Sequence, residues 1–240
     1  MTQNILSQFT LGPPYTGEVH WIQKQALKKL VVESELRFAR LKPEDVESNL
    51  FMYHLRRLLA EGLVTKTESG YRLSAAGKRY ADKLSWKTLS PRSQPKIVTM
   101  VACRNRRGEW LVYRRRRQPF RDMISFPHGK LHMGELVQAA AERELYEKAK
   151  LRGSLRHRGE VYLSVYHEDE LISHALCHVF SATAVTGQPL ADPEYGSCFW
   201  LGKHQEKAGE YGPGFADIRK LVSKDSRQPF FGEFTYRLKD

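Results

Sequence analysis

Between residues 129 and 151 a glycine, three glutamates and an arginine stand at fixed intervals. Gly129 is followed after five residues by Glu135, after seven more by Arg143-Glu144-Leu145, and then by Glu147. The stretch reads as a glycine loop leading into an apolar-striped helix that carries carboxylates. Residues at i, i+3 and i+4 of a helix share a face, so Glu144, Glu147 and position 148 point the same way. Several carboxylate oxygens on one face are what a magnesium-like ion takes as ligands. An ion held there acts as a Lewis acid and can activate water. Position 148 is a lysine rather than a third carboxylate. Gly129 suits a loop with unusual dihedrals, or one whose backbone comes close to a ligand.

This spacing resembles the signature of the Nudix hydrolase superfamily, G-x5-E-x7-R-E-U-x-E-E-x-G-U, in which U is a bulky aliphatic residue. Lys148 stands where its last glutamate belongs and Lys150 where its second glycine belongs. The segment 123–130 resembles the family's approach to that box, commonly Trp-x-x-Pro-Gly-Gly, with Ile124 and His128 replacing the aromatic and the first glycine. The resemblance covers residues 96–203 and implies an α/β sandwich. It implies that Glu144 and Glu147 hold a metal and, in an active enzyme, are catalytic. Glu135 and Arg143 become a structural pair tying loop to helix. Magnesium is the implied cofactor if the chain is catalytic, with none otherwise. The implied ligand is a nucleoside-diphosphate compound of the ADP-ribose kind, with Gly129, Lys130, Arg116 and Lys148 around its diphosphate.

The chain has 240 residues, room for one large or two ordinary domains. Its formal net charge of +12 favours an anionic partner such as nucleic acid or nucleotides. No apolar run is long enough to span a membrane, and the start lacks the basic and apolar regions of a signal peptide. Cys103, Cys177 and Cys198 fit neither a disulfide framework nor a zinc site, and read as buried thiols of a cytoplasmic protein.

After a loose leader over residues 1–18, apolar residues recur at helical spacing from Trp21. A short helix is expected around 34–41, ended by Lys42-Pro43, and a longer one from about 46 to 61 with Gly62 at its stop. Two strand pieces, 63–66 and 71–73, flank a tight turn, and Ser74 caps a closing helix over 75–84. That order outlines a winged helix-turn-helix, and residues 49–64 look like the recognition helix and first wing strand of prokaryotic regulators. Phe51, Leu55, Leu58 and Leu59 form its core face; Asn49, Tyr53, Arg56 and Arg57 lie opposite, with Arg72 near the wing. Those residue types reach phosphates and base edges in a major groove. Residues 1–94 carry 15 Lys and Arg against 9 Asp and Glu, an excess moderate enough to leave protein docking or dimerisation as the alternative role.

Ser and Pro mark 85–95 as linker-like, and the domains are set at 1–88 for the winged helix, 89–95 for the linker and 96–240 for the Nudix-like domain. Strands are expected at 97–103 and 109–115, then at 158–167 and 171–185 around an acidic turn. Of the run Arg114 to Arg117, alternation lets at most two side chains converge on one phosphate. His174 and His178 lie four apart, about 13 Å along a strand, too far to share an ion. A helix is expected over 213–224, and the aromatic tail 229–236 should pack across the domain or a partner subunit.

The fold expectation is therefore two domains, a mainly α winged helix-turn-helix followed by a Nudix-type α/β sandwich. The functional expectation is a cytoplasmic, DNA-binding transcription regulator whose Nudix-like domain binds a nucleoside diphosphate with little or no hydrolysis. It resembles the Nudix-related repressors of NAD metabolism, which carry the DNA-binding part after the Nudix part. The alternative is an active magnesium-dependent hydrolase with an accessory winged helix. RNA-end processing fits the charge without a motif of its own. Expected partners are double-stranded DNA and a nucleotide-like small molecule, no membrane, and a possible homodimer. Lys148 tips the reading to the regulator, because at 4–6 Å an ammonium repels a divalent ion by about 5–8 kcal/mol.

Overall fold

The computed structural model describes residues 17–85, 87–88, 90–189, 191–192, 196–202, 209–224 and 226–238. Residues 1–16 of the expected leader, and Trp86 and Leu89 at the linker, lie outside them. The chain divides into two compact units, Met1–Gln94 and Pro95–Asp240.

The first unit runs α1 (Trp21–Val32), α2 (Phe38–Leu41), α3 (Ser48–Ala60), β1 (Val64–Lys66), β2 (Tyr71–Leu73) and α4 (Ala75–Asp82). His20 starts α1 with a capping box: its Nδ1 accepts from the Ile22 amide at 3.3 Å, and its own amide donates to Gln23 Oε1 at 2.8 Å. The second helix is shorter than expected. Leu36 is drawn instead into paired backbone bonds with Tyr71, at 3.0 and 2.9 Å, which the first turn of a longer helix would forbid. Ser74 caps α4 by accepting from the Gly77 amide at 3.0 Å. Ile22, Leu27, Phe51, Leu55, Leu58 and Leu63 are almost wholly buried and join the three longer helices and the hairpin into one core. Leu59 is only partly buried against it.

The second unit runs β3 (Lys96–Cys103), β4 (Trp110–Arg115), β5 (Ile124–Ser125), β6 (His128–Lys130), α5 (Val137–Ala149), β7 (Arg152–His167), β8 (Glu170–Thr186), β9 (Ala191–Asp192), β10 (Gly196–Leu201), α6 (Phe215–Ser223) and β11 (Phe230–Leu238). The larger sheet has the order β11-β7-β8-β3-β6 and is mixed: β3 pairs parallel with β8 and β11 with β7, while β7–β8 and β3–β6 are antiparallel. The smaller sheet, β5-β4-β10-β9, is antiparallel. Two apolar clusters fill the unit. One takes α6 through Phe215, Ile218 and Val222; the other takes α5 through Ala141, Leu145 and Ala149. The aromatic tail is β11 of the large sheet, with Phe230, Phe234 and Tyr236 packed on the α6 cluster and the Tyr236 hydroxyl donating to Asp217. All three cysteines are free and buried, and burial pushes each thiol up to about 12. Among the described residues, no helix is long and apolar enough to cross a membrane.

Candidate functional site

α5 carries small and apolar residues at 140, 141, 145 and 149 on its buried side, and Glu144 falls within that stripe at 5% exposure. Arg143, one residue earlier, organises what surrounds it. Its guanidinium meets Glu135 in a two-pronged pair at 2.7 and 2.9 Å, Glu144 Oε1 at 2.6 Å and Glu147 Oε2 at 3.2 Å, and donates to the Lys130 carbonyl at 3.1 Å. One side chain thus fastens the 131–136 loop and β6 to the helix. The bond from Arg143, joined by the His132 amide, holds the Glu135 carboxyl down at about 2, well below its ordinary range. Glu135 is the larger influence holding Arg143 above its usual value.

Gly129 is not in a loop, as the sequence suggested, but in β6, opposite Thr99 of β3. It is needed for space. A Cβ there would lie 1.8 Å from the Glu144 carboxyl carbon, so any side chain would push that carboxylate out of the place where Arg143 holds it. Lys150, at the expected second glycine, has φ 55 and ψ 25 and closes α5 with its amide on the Tyr146 carbonyl at 2.8 Å. That left-handed conformation is why glycine suits the position.

Lys148 turns inward. Its Nζ is 3.5 Å from Glu144 Oε2, its side chain is 19% exposed, and it lies 5.0 Å from the centre of the Tyr113 ring. Glu144 Oε2 is buried and makes no hydrogen bond among the described residues; the ammonium is its ionic neighbour. Glu147 is 56% exposed and turned to Arg143.

Glu144 and Lys148, with Gly129 and Tyr113, floor a cleft of about 570 Å³ walled by Val98, Met100, Phe120, Leu163 and Val165. Lys96, Arg115, Arg117, Lys130 and Lys148 line it against the single carboxylate of Glu144. Burial and then the charges of Lys130 and Arg115 depress Lys96; burial and then Arg117 depress Arg115. Cations crowded so that they depress one another are relieved by a multiply charged anion. His128, also in the cleft, is lowered first by burial and further by Lys148 and Arg115. Its Nδ1 is 2.9 Å from the Phe126 carbonyl, an acceptor only, so Nδ1 carries the proton and Nε2 is left as an acceptor.

Of the expected ligand-binding residues, the cleft brings together Gly129, Lys130 and Lys148 with Glu144. Arg116 is not among its lining residues; Arg115 and Arg117, one position either side, are. β4 ends at Arg115, so Arg116 and Arg117 lie past the strand and strand alternation does not place them. Lys96 and His128 were not anticipated. Glu168 and Glu170, at the β7–β8 turn, are exposed and do not line the cleft.

The donor set can be weighed against a magnesium ion. That ion takes oxygen ligands in near-octahedral geometry. α5 offers one buried oxygen without a hydrogen bond, one exposed carboxylate held by Arg143, and an ammonium 3.5 Å from the buried oxygen. The residues present fit an anion beside Lys148 better than a divalent cation beside Glu144.

In the first unit, Asn49, Tyr53, Arg56 and Arg57 are exposed together on α3, and Arg72 is exposed on β2. Arg57 pairs with Glu61 at 3.3 Å. His54 is buried, stacked on His20 with ring centres 4.2 Å apart, and burial lowers it.

The family model described as the NUDIX domain matches residues 94–221. Similar solved structures include a MutT protein from Bacillus halodurans, 22% identical, TM-score 0.49, covering 59% of this chain and 90% of that one. The MutT NUDIX hydrolase from Burkholderia pseudomallei is 22% identical, TM-score 0.44, covering 56% and 100%. The NUDIX domain of Shewanella oneidensis NrtR, complexed with ADP ribose, is 12% identical, TM-score 0.46, covering 60% and 95%. No curated protein matches the chain. The family match spans more than half of the 240 residues and includes the Gly129–Glu147 box, every strand of both sheets except β11, and most of α6: the chain belongs to the Nudix family.

Proposed function

We propose that this chain is a DNA-binding regulator whose Nudix domain senses a nucleoside diphosphate of the ADP-ribose kind and hydrolyses it little or not at all. The observation that carries the sensing half is Lys148, its ammonium 3.5 Å from the buried Glu144 carboxylate in a cleft with four further cationic side chains. An ammonium supplies positive charge to a pyrophosphate as a point charge without the coordination that activates water. Lys96, Arg115, Arg117 and Lys130 share the phosphate charge, the apolar wall with Phe120 takes the base, and His128 Nε2 accepts from a ribose hydroxyl. Gly129 and Arg143 shape the floor by holding Glu144 and the helix.

The DNA half rests on the first unit. Three helices, a two-stranded hairpin and a closing helix support a winged helix-turn-helix reading, with α3 as its recognition helix. Asn49, Tyr53, Arg56 and Arg57 lie exposed on that helix and Arg72 beside it on the hairpin. The unit's surplus of basic residues, 15 against 9 acidic, gives the moderate attraction a duplex needs.

Fluorescence anisotropy of the full chain on duplexes selected from a random pool tests the reading. Duplex binding whose affinity shifts about 5–150-fold on adding ADP-ribose is expected, the usual range of allosteric coupling. Duplex binding indifferent to a panel of nucleoside diphosphates, or no duplex binding, overturns the regulator. One observation favours a second reading, a working hydrolase: Glu144 Oε2 has no hydrogen bond among the described residues and could meet a metal if Lys148 swings aside. Magnesium-dependent cleavage of ADP-ribose, abolished by Glu144→Gln, would establish that reading instead.

A further inference from the structure

His157 and Glu160 of β7 and His178 of β8 bring three ligand-capable atoms within 4.8 Å of one another. His157 Nε2 is 3.1 Å from Glu160 Oε1, and His178 Nδ1 is 3.5 Å from the same oxygen. The two imidazole centres are 5.9 Å apart. A regular strand does not build this, because residues three apart point to opposite faces. The β7–β8 register slips between His157 and Gly159, where Gly159 has φ 144 and a Cβ would lie 2.0 Å from the Phe230 carbonyl oxygen. The bulge inserts one residue and returns His157 to the face of Glu160. His178 is the direct register partner of Glu160. Cys177 lines the nucleotide cleft, so alternation sets His178 and its partners on the sheet's other face.

We propose that His157, Glu160 and His178 form a binding site for one divalent transition-metal ion, with zinc as the preferred occupant. Tetrahedral zinc, with bonds of about 2.0–2.1 Å to nitrogen and oxygen, spaces its ligand atoms by about 3.3–3.4 Å. The observed 3.1 and 3.5 Å lie on either side of that spacing. Two imidazoles and one carboxylate are a set that zinc accepts, leaving a fourth position for water. Magnesium and calcium prefer oxygen alone. The side chains are 36%, 32% and 21% exposed, which leaves an ion a path from solvent. The flanking Arg156 and Arg158 guanidiniums are occupied with the Arg227 and Lys224 carbonyls, at 3.4 and 2.9 Å. Bound there, the ion pins the bulge of β7 to β8.

The test is a titration of the full chain, stripped by a chelator, with zinc alone and in parallel with cobalt as a spectroscopic probe. One ion per chain and a four-coordinate cobalt spectrum are expected. His157→Gln and His178→Ala should each weaken zinc by at least about 100-fold, the upper end of what even an outer partner of a metal costs. Glu147→Gln, in the separate carboxylate cluster of α5, should leave zinc binding unchanged. Because the replaced histidines are partly exposed, the chelator-treated variants should melt like the parent, and that control separates lost ligation from lost fold. No zinc bound by the parent, equal affinity in both folded histidine variants, or loss on Glu147→Gln overturns the site, and leaves Glu160 as a carboxylate shared by two imidazoles.

Discussion

Replacing Lys148 with glutamate perturbs the cleft most informatively, because one substitution reverses two opposed effects. In the parent, an ammonium 4–6 Å from a divalent ion repels it by about 5–8 kcal/mol at an effective dielectric near 20, which exceeds what Glu144 and the Arg143-bound Glu147 can return. The variant restores three carboxylates at i, i+3 and i+4 on α5. It also removes the 3.5 Å ion pair with Glu144 and sets a second carboxylate against a group only 5% exposed. Arg143 still holds Glu144 Oε1 at 2.6 Å, so the metal-free cost should be about 1–3 kcal/mol, below that of a wholly orphaned buried charge. In a unit of this size that lowers the melting midpoint by about 3–10 °C. Differential scanning fluorimetry in a chelator and in millimolar magnesium reads both halves. The parent should melt alike in the two buffers, and Lys148→Glu should melt low in the chelator and recover with magnesium. A parent stabilised by magnesium as strongly as the variant would refute the reasoning.

Three further outcomes follow from the geometry. Replacing Arg56 and Arg57 together with alanine should weaken duplex binding and flatten its dependence on salt by about two contacts' worth; unchanged binding in a salt titration would remove α3 from the DNA interface. The depressed Glu135, at about 2 rather than 4.5, contributes stability that is complete above pH 4.5 and is lost as pH falls towards 2. Allowing for its 17% exposure, that contribution is about 2–3 kcal/mol, so urea midpoints of the parent should drop across that window while those of Glu135→Gln stay flatter. Lys150→Gly, relieving a left-handed residue at φ 55, should stabilise the unit by about 0.5–1 kcal/mol once glycine's larger entropy loss is deducted, measured as a rise in denaturation midpoint.

What the sequence revealed depended on how local the governing physics was. The spacing of Gly129, Glu135, Arg143 and Glu144 is legible because one helix and the strand and loop just before it place those residues. Ser74 and Gly62 mark helix ends by local backbone chemistry, and the structure has a cap and a φ of 70 at those positions. Non-local pairing was harder to foresee. Leu36 leaves its expected helix because Tyr71, far along the chain, offers it two backbone bonds. The tail becomes β11 because β7 has an open edge for it, and no residue within 229–236 announces that partner. Arg115 and Arg117 line the cleft in place of Arg116 because β4 ends at Arg115, and the alternation expected of the run Arg114 to Arg117 does not reach past it. His178 was weighed only against His174 on its own strand. Its neighbours His157 and Glu160 come from β7 through a bulge that shifts alternation by one residue.

The central claim is that Lys148 occupies the place of a metal and contacts the pyrophosphate itself. Isothermal titration of the full chain with ADP-ribose, once in excess chelator and once in magnesium, measures this most directly. The account predicts binding of similar affinity in both buffers, with the nucleotide recovered intact. Binding that appears only with magnesium, or magnesium-dependent hydrolysis at the rate of a working enzyme, would contradict it.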